Sequence, residues 1–350
     1  MLYVPRTAAG KVPLLEHLQG YRAPSLAKSL PQLVSTLLLL VFLWWAAFSA
    51  LGRAYWLSLL LAIPAGGMLV RVFIIQHDCG HGSFFRSRRA NDLLGFVLGV
   101  VTLTPYTYWR RTHAIHHASF GKLEGRDEFG YLVLLTVREY QALSPVKKMR
   151  YRIYRSPWFL LTVGVPLQYL IKHRFPWDVP RSWTGEWASV LLTNGALVSV
   201  AGLAWATIGF GAFLLVHGPI VYVMAVVGGW FFYIQHNFET VRWAHEGEWS
   251  FERAGLEGSS YYDVPGVLHW LTGHVGLHHV HHLCPQIPNY RLAEALAAIP
   301  RLQQVPRLTL RKSLSAARLK VWDEDQERMV GFVEQERAEN AGEPSARIGS

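Results

Sequence analysis

Nine of the sixteen histidines fall at spacings that can gather imidazoles around metal ions. His77 and His81 stand four residues apart. His113, His116 and His117 form an HxxHH run, and His278, His281 and His282 repeat it. His236 closes a long apolar stretch. On a helix, residues at i, i+3 and i+4 share a face, so each run converges its rings. Neutral imidazole is a borderline ligand suited to iron, zinc, copper and nickel. Nine rings exceed what one ion takes, and two ions with four or five nitrogens each is the natural partition. A single HxxxH at a helix end carries little weight. Three runs and a further histidine, all reaching one depth, are not a chance pattern. No catalytic group beyond the metal ligands is singled out.

Several neighbours are candidates to hold these rings from behind. The carboxylates Asp78, Asp127, Glu128, Glu239 and Asp263 stand near the runs in sequence and can accept the second ring N–H. His279 is off the shared face of its run and reads as an orienting residue or spacer. His274 precedes His278 by one turn and reads as an orienting residue rather than a ligand. His17, His173, His217, His245 and His269 are isolated and read as surface or packed histidines. His217, in apolar sequence, reads as a hydrogen-bonded core residue. Trp109, Trp230, Phe231, Phe232, Tyr261, Tyr262 and Trp270 lie close to the runs. They are candidates to line a substrate groove, with an interfacial aromatic belt as the competing role.

The elements that must position these residues are membrane helices. The chain is 51% hydrophobic and only 17% charged, which argues against a plain soluble domain. A helix needs about 20 apolar residues to cross a bilayer. Spans are expected at about 33–51, 54–76, 187–209 and 212–235, with breaks at Gly52-Arg53 and near Gly209 and a kink at Pro219. The apolar stretches Asp92–Thr104 and Trp158–Leu170 are too short to cross and read as interfacial or re-entrant helices. The expected fold is an all-α integral membrane protein: four transmembrane helices in two hairpins, with a helical cap that carries a di-metal site. Residues 1–31 form an N-terminal segment without signal-peptide character, 32–300 the membrane domain, and 301–350 a polar tail ending in a Glu-rich, solvated helix with a disordered end.

Charge sets the expected orientation. Of the net charge of +10, the two short turns expose only Arg53. The opposite side carries Arg86, Arg88, Arg89, Arg110, Arg111, Lys147, Lys148, Arg150, Arg152, Arg155, Lys172 and Arg174, which places that side, and both termini, in the cytoplasm. Two distant cysteines, Cys79 and Cys284, indicate no disulfide framework. The basic face suits anionic lipid or an acidic partner; no nucleic-acid-binding motif accompanies it.

The stretches HDCGHGSFF (77–85), HAIHHASFGKLEGRDEFG (113–130), FFYIQHNFE (231–239), LEGSSYYDVP (256–265) and TGHVGLHHVHHLCPQIPNYRL (272–292) resemble the membrane fatty-acid desaturase superfamily, specifically the bacterial acyl-lipid type. The likeness covers most of 32–300. It implies a di-iron centre with His77, His81, His113, His116, His117, His278, His281 and His282 as ligands and His236 as the ninth. The family often carries Asn where this chain has His274. The implied reaction uses O2 to insert a double bond into a lipid-linked acyl chain, because unactivated methylenes yield only to an oxidant that a cofactor supplies. No GxGxxG loop, cysteine set for an iron–sulfur cluster or fused cytochrome module is present, so a separate electron donor such as a ferredoxin or cytochrome is implied. The implied location is a bacterial inner membrane.

A hydroxylase or ketolase on the same scaffold is the nearest alternative, since both start from the same hydrogen abstraction. A His-rich metal transporter would hold its site near the bilayer midplane, whereas these histidines lie at helix ends. A bis-histidine haem carrier needs paired histidines inside spans, and only His217 is there. Zinc hydrolases use three or four ligands, not nine.

Overall fold

The computed structural model describes residues 14–124, 126 and 132–335. Asp127, Glu128 and the end of the tail lie outside the described residues. Among the described residues, four helices are long and apolar enough to cross a membrane: α1 (Leu26–Leu51), α2 (Tyr55–His81), α5 (Thr184–Thr207) and α6 (Phe210–Gln235). Between α2 and α5 lie α3 (Arg88–Val101) and α4 (Tyr106–Ser119). After α6 come α7 (His278–Leu283) and α8 (Asn289–Ala298).

α1 and α2 both exceed the uncharged stretches that nucleate them. α1 begins seven residues before Leu33 and contains Pro31. α2 continues past Gln76 through the whole first histidine run. It stops because Gly82 takes a left-handed conformation (φ 71°) and its N–H caps the carbonyls of Asp78 and Cys79; a residue with a Cβ is disfavoured there. α5 and α6 are separated at Gly209, also with positive φ.

α2 is the central helix. Two-thirds (67%) of its apolar window is buried, against 17% for α5, so α5 presents most of its surface outward. The main core gathers α1, α2 and α6 through Leu40, Ala47, Met68, Leu69, Val72, Ile75, Ile220 and Met224. Arg71 is buried in α2 because its guanidinium is satisfied from two directions: Nε donates to Thr36 Oγ1 of α1 at 3.1 Å and Nη1 to the carbonyl of Trp270, whose ring it covers at 4.4 Å. Such pairing is what permits an ionisable group at this depth.

Among the described residues helical structure dominates, with two small β pairs. β1 (Tyr261–Asp263) pairs in parallel with β2 (Arg307–Thr309), and β3 (Val321–Asp323) pairs antiparallel with β4 (Arg328–Val330). The second pair corrects the expected solvated helix at the chain's end. Trp322 and Met329 are buried, and the Trp322 N–H donates to the carbonyl of Leu135 at 3.1 Å. The Glu-rich composition masks two short strands that each turn a large apolar side chain inward.

Candidate metal centre

The first run rides on the last turn of α2, the second on the last two turns of α4, and the third makes up most of α7. His236 follows α6 directly. All four element ends meet. His77, His81, His113, His117 and His281 form one group and His116, His236, His278 and His282 another; within each group the candidate ligand nitrogens lie within 4.8 Å of one another. Both HxxHH runs are split. The i and i+4 residues of the α4 run go to the five-histidine group and His116 to the other. The α7 run does the reverse, sending His281 to the five and His278 with His282 to the four.

The nitrogens approach one another closely. Nε2–Nε2 separations are 3.0 Å for His77–His113, 3.1 Å for His113–His117, 3.0 Å for His117–His281, 3.0 Å for His236–His278 and 2.9 Å for His278–His282. A neutral imidazole offers one donor and one acceptor, so a chain of such contacts through Nε2 alone is poorly served by hydrogen bonds. Two nitrogens at right angles on one ion, each at about 2.0–2.1 Å as for imidazole on zinc, would stand roughly 3 Å apart. The His81 Nε2 is buried and reaches no hydrogen-bond partner; a bound cation would satisfy it. Outside the spans, burial holds His113, His116, His117, His278, His281 and His282 well below the ordinary histidine range, and the neighbouring imidazoles push the same way. Burial brings His236 down to about 4. Neutral rings are the form a metal needs. The residues therefore fit a pair of metal ions.

The surroundings fix individual rings. His77 Nδ1 lies 3.3 Å from Asp78 Oδ1, and Asp78 Oδ2 accepts from the backbone N–H of Asn289 at 2.6 Å and from its Nδ2 at 2.8 Å. Gln32 Nε2 donates to Asn289 Oδ1 at 2.7 Å. Asn289 was not singled out from the sequence; its place after Pro288 at the start of α8 was the available signal. On the other group, His236 Nδ1 donates to the Gly258 carbonyl at 2.9 Å, which leaves Nε2 free to ligate. Trp109 stacks on His113, centroids 4.5 Å apart. It can do so because residue 80 is glycine: a Cβ there would stand 2.8 Å from the Trp109 ring.

Other candidates lie elsewhere. Glu239 is past the end of α6 and faces Arg328 at 3.6 Å. Asp263 lies 3.7 Å from Arg307 and 3.9 Å from His269. Neither carboxylate is paired with a clustered histidine; beyond a helix end, sequence proximity no longer implies a shared face. His279 turns away, its Nε2 on the Leu302 carbonyl at 3.1 Å. His274 is not one helical turn before His278. Gly273 and His274 both take positive φ (53° and 58°), which breaks the helix, and His274 stacks on His269 at 5.5 Å. Asn and His are among the few side chains tolerated in that conformation, which accounts for either residue at this position. Tyr261 and Tyr262 point to opposite faces of β1. Tyr261 lies against His279, while Tyr262 is fully buried with its hydroxyl 3.0 Å from Ser313 Oγ and accepting from Trp230 Nε1 at 3.1 Å. Phe232 lies 5.7 Å from His116, and Phe231 packs on Tyr262 at 5.1 Å.

Four helices apolar enough to span a membrane, two of which end at clustered histidines, and nine histidines that converge from α2, α4, α7 and the residue after α6 define an integral-membrane protein with a metal-binding polyhistidine centre. The profile of the fatty acid desaturase family matches residues 54–311, and the chain belongs to that family, as an oxidoreductase. It is 41% identical over 319 residues to a fatty acid desaturase of Bacillus subtilis, covering 91% of this chain and 90% of that one. It is 29% identical to an sn-1 acyl-lipid omega-3 desaturase (ferredoxin) of Synechocystis, covering 67% of this chain and 65% of that one. To an acyl-lipid omega-3 desaturase (cytochrome b5) of the Arabidopsis thaliana endoplasmic reticulum it is 27% identical, covering 73% and 64%.

Proposed function

We propose that this protein is an O2-dependent desaturase of lipid-linked fatty acyl chains, with iron in both histidine groups. The observation that carries the reading is the division of nine buried or half-buried histidines into adjacent groups of five and four, in a chain whose family and relatives are desaturases. His77, His81, His113, His117 and His281 would hold one iron and His116, His236, His278 and His282 the other. The bound pair supplies the oxidising power that amino-acid side chains lack. Each turnover takes one O2, two electrons and two protons, removes two hydrogens from adjacent methylenes, and leaves a double bond and two waters.

The chain's own residues bind, orient and exclude water. Asp78, braced by Asn289, and the Gly258 carbonyl keep His77 and His236 in the tautomers that present Nε2. Trp109, Phe120 and Phe232 pack against ligand rings and keep solvent from them. The electrons come from a separate donor. The ferredoxin and cytochrome b5 in the names of the relatives make a small electron-transfer protein the fitting partner class. Basic residues gathered on the side of the centre support a cytoplasmic active face in a bacterial inner membrane.

The test is the fatty-acid profile of cells expressing the chain, by gas chromatography with mass spectrometry, beside the His81→Ala variant. A new unsaturated acyl species formed only by the intact protein is expected. A hydroxylated species would replace this reading with a hydroxylase on the same scaffold.

A further inference from the structure

The loops that leave the first and third histidine runs converge on the start of α1. Tyr290 fastens them: its hydroxyl donates to the Phe84 carbonyl at 3.3 Å and accepts from the Ser25 N–H at 3.1 Å. Beside this junction opens a cavity of about 790 Å³, lined among others by Ser25, Leu26, Lys28, Phe85, Arg86 and Arg291. Three cations line it. One carboxylate, Glu294, pairs with both Lys28 and Arg291, so positive charge is in excess by two (three minus one). Arg86 makes no ion pair among the described residues and is exposed.

An apolar surface descends from the cavity. On α1, Leu26, Leu30 and Val34 are 61%, 46% and 52% exposed at four-residue spacing, and on α3 Leu93 and Val97 are 69% and 49% exposed at the same spacing. Residues four apart share a helical face, so each helix presents an exposed apolar stripe. A cationic niche above an apolar stripe is complementary to a phosphate on a diacyl glycerolipid: guanidinium groups match phosphate oxygens bidentately, and the acyl chains lie on the stripe. Water-soluble anions have no use for the stripe.

We infer that this cavity is the headgroup site for an anionic glycerophospholipid, which makes phospholipid the acyl carrier. The inference rests on the acyl-lipid reading above and narrows it. The location supports it. Phe85 follows His81 by four residues, and Arg291 follows by two the Asn289 that braces Asp78, so the cavity is lined by residues a few positions along the chain from the five-histidine group and its brace.

The purified full chain in detergent is titrated with dihexanoyl phosphatidylglycerol, with dihexanoylglycerol and with inorganic phosphate, following the thermal midpoint. The phospholipid is expected to raise the midpoint saturably and the neutral glyceride not to. Arg86→Gln is expected to weaken the response several-fold and Lys28→Gln/Arg86→Gln at least tenfold, while Lys147→Gln/Lys148→Gln, on a separate basic helix, keeps it. Arg86 is exposed, so its single variant remains informative if the double variant folds poorly. Equal responses of wild type and Arg86→Gln, or of phospholipid and dihexanoylglycerol, would overturn the site. An inorganic phosphate response as strong as that of the phospholipid would make it a free-phosphate site instead. In cells, the double variant should lose most unsaturated product with metal content unchanged. If it makes product normally while His81→Ala makes none, the headgroup site falls and the desaturase reading stands.

Discussion

The two histidine groups are built differently. The five-histidine group takes its rings from α2, α4 and α7, and is braced through Asp78, Asn289 and Gln32, a chain that ties α2 to α8 and α1. The four-histidine group takes its rings from α4, α7 and the residue after α6, and His236 is braced by a backbone carbonyl, that of Gly258. One group therefore has more nitrogens and a charged support, and the other fewer nitrogens and a neutral one. A carboxylate behind an imidazole raises its basicity as a ligand more than a carbonyl does. The five-histidine group should hold its ion more tightly, and the four-histidine group should be the more open to an exogenous ligand.

Removing one ligand from each group separates them. His81→Ala and His281→Ala should each abolish product, with metal analysis showing loss from the braced group. His236→Ala should also abolish product, but should retain metal in the five-histidine group, giving about half the wild-type content. Equal and complete metal loss in all three would show that the groups do not bind independently. Asp78→Asn keeps the shape and removes the charge. A 10–100-fold loss of metal affinity or activity is expected from the usual effect of such partners. No loss would mean that the Asn289 brace, not the charge, positions His77.

Gly80→Ala should act through packing alone. Its Cβ forces the Trp109 ring to shift and unstack from His113, at a cost of about 1–3 kcal/mol. A lower thermal midpoint with reduced activity and near-normal metal content is expected. Alanine at 80 without effect would show that the stacking contact is dispensable.

The smallest effect on activity is expected away from the centre, at Lys320, where the consequence is for stability. Burial lowers its pKa from 10.5 to about 7, despite contacts to the Arg155 carbonyl and the Tyr233 hydroxyl. Between pH 7 and 10.5 the unfolded chain then binds more protons than the folded one, so stability rises with pH across that window and is flat below it. Lys320→Met should flatten the rise measured by thermal unfolding from pH 7 to 10.

What was legible in the sequence follows from local periodicity. A helix repeats every 3.6 residues, so HxxxH and HxxHH announce convergent rings without knowledge of the fold, and uncharged runs announce spans because bilayer thickness sets their length. Left-handed positions and β pairing left weaker traces. His274 looked helical until Gly273 broke the turn. Glu239 and Asp263 looked close to the histidines, but lie on chain segments with different directions.

By itself the sequence determined which nine side chains are candidate ligands, that four apolar stretches are long enough to cross a membrane and two of them end at clustered histidines, and that the chemistry is that of a desaturase-type metal centre. Only the tertiary structure decided that each HxxHH run divides between two groups, that Asn289 stands behind Asp78, and that a cationic cavity opens beside the first run. The reason is physical: spacing along a helix states which side chains share a face, whereas the angles and distances at which α2, α4, α6 and α7 meet decide which face each ring meets across the gap.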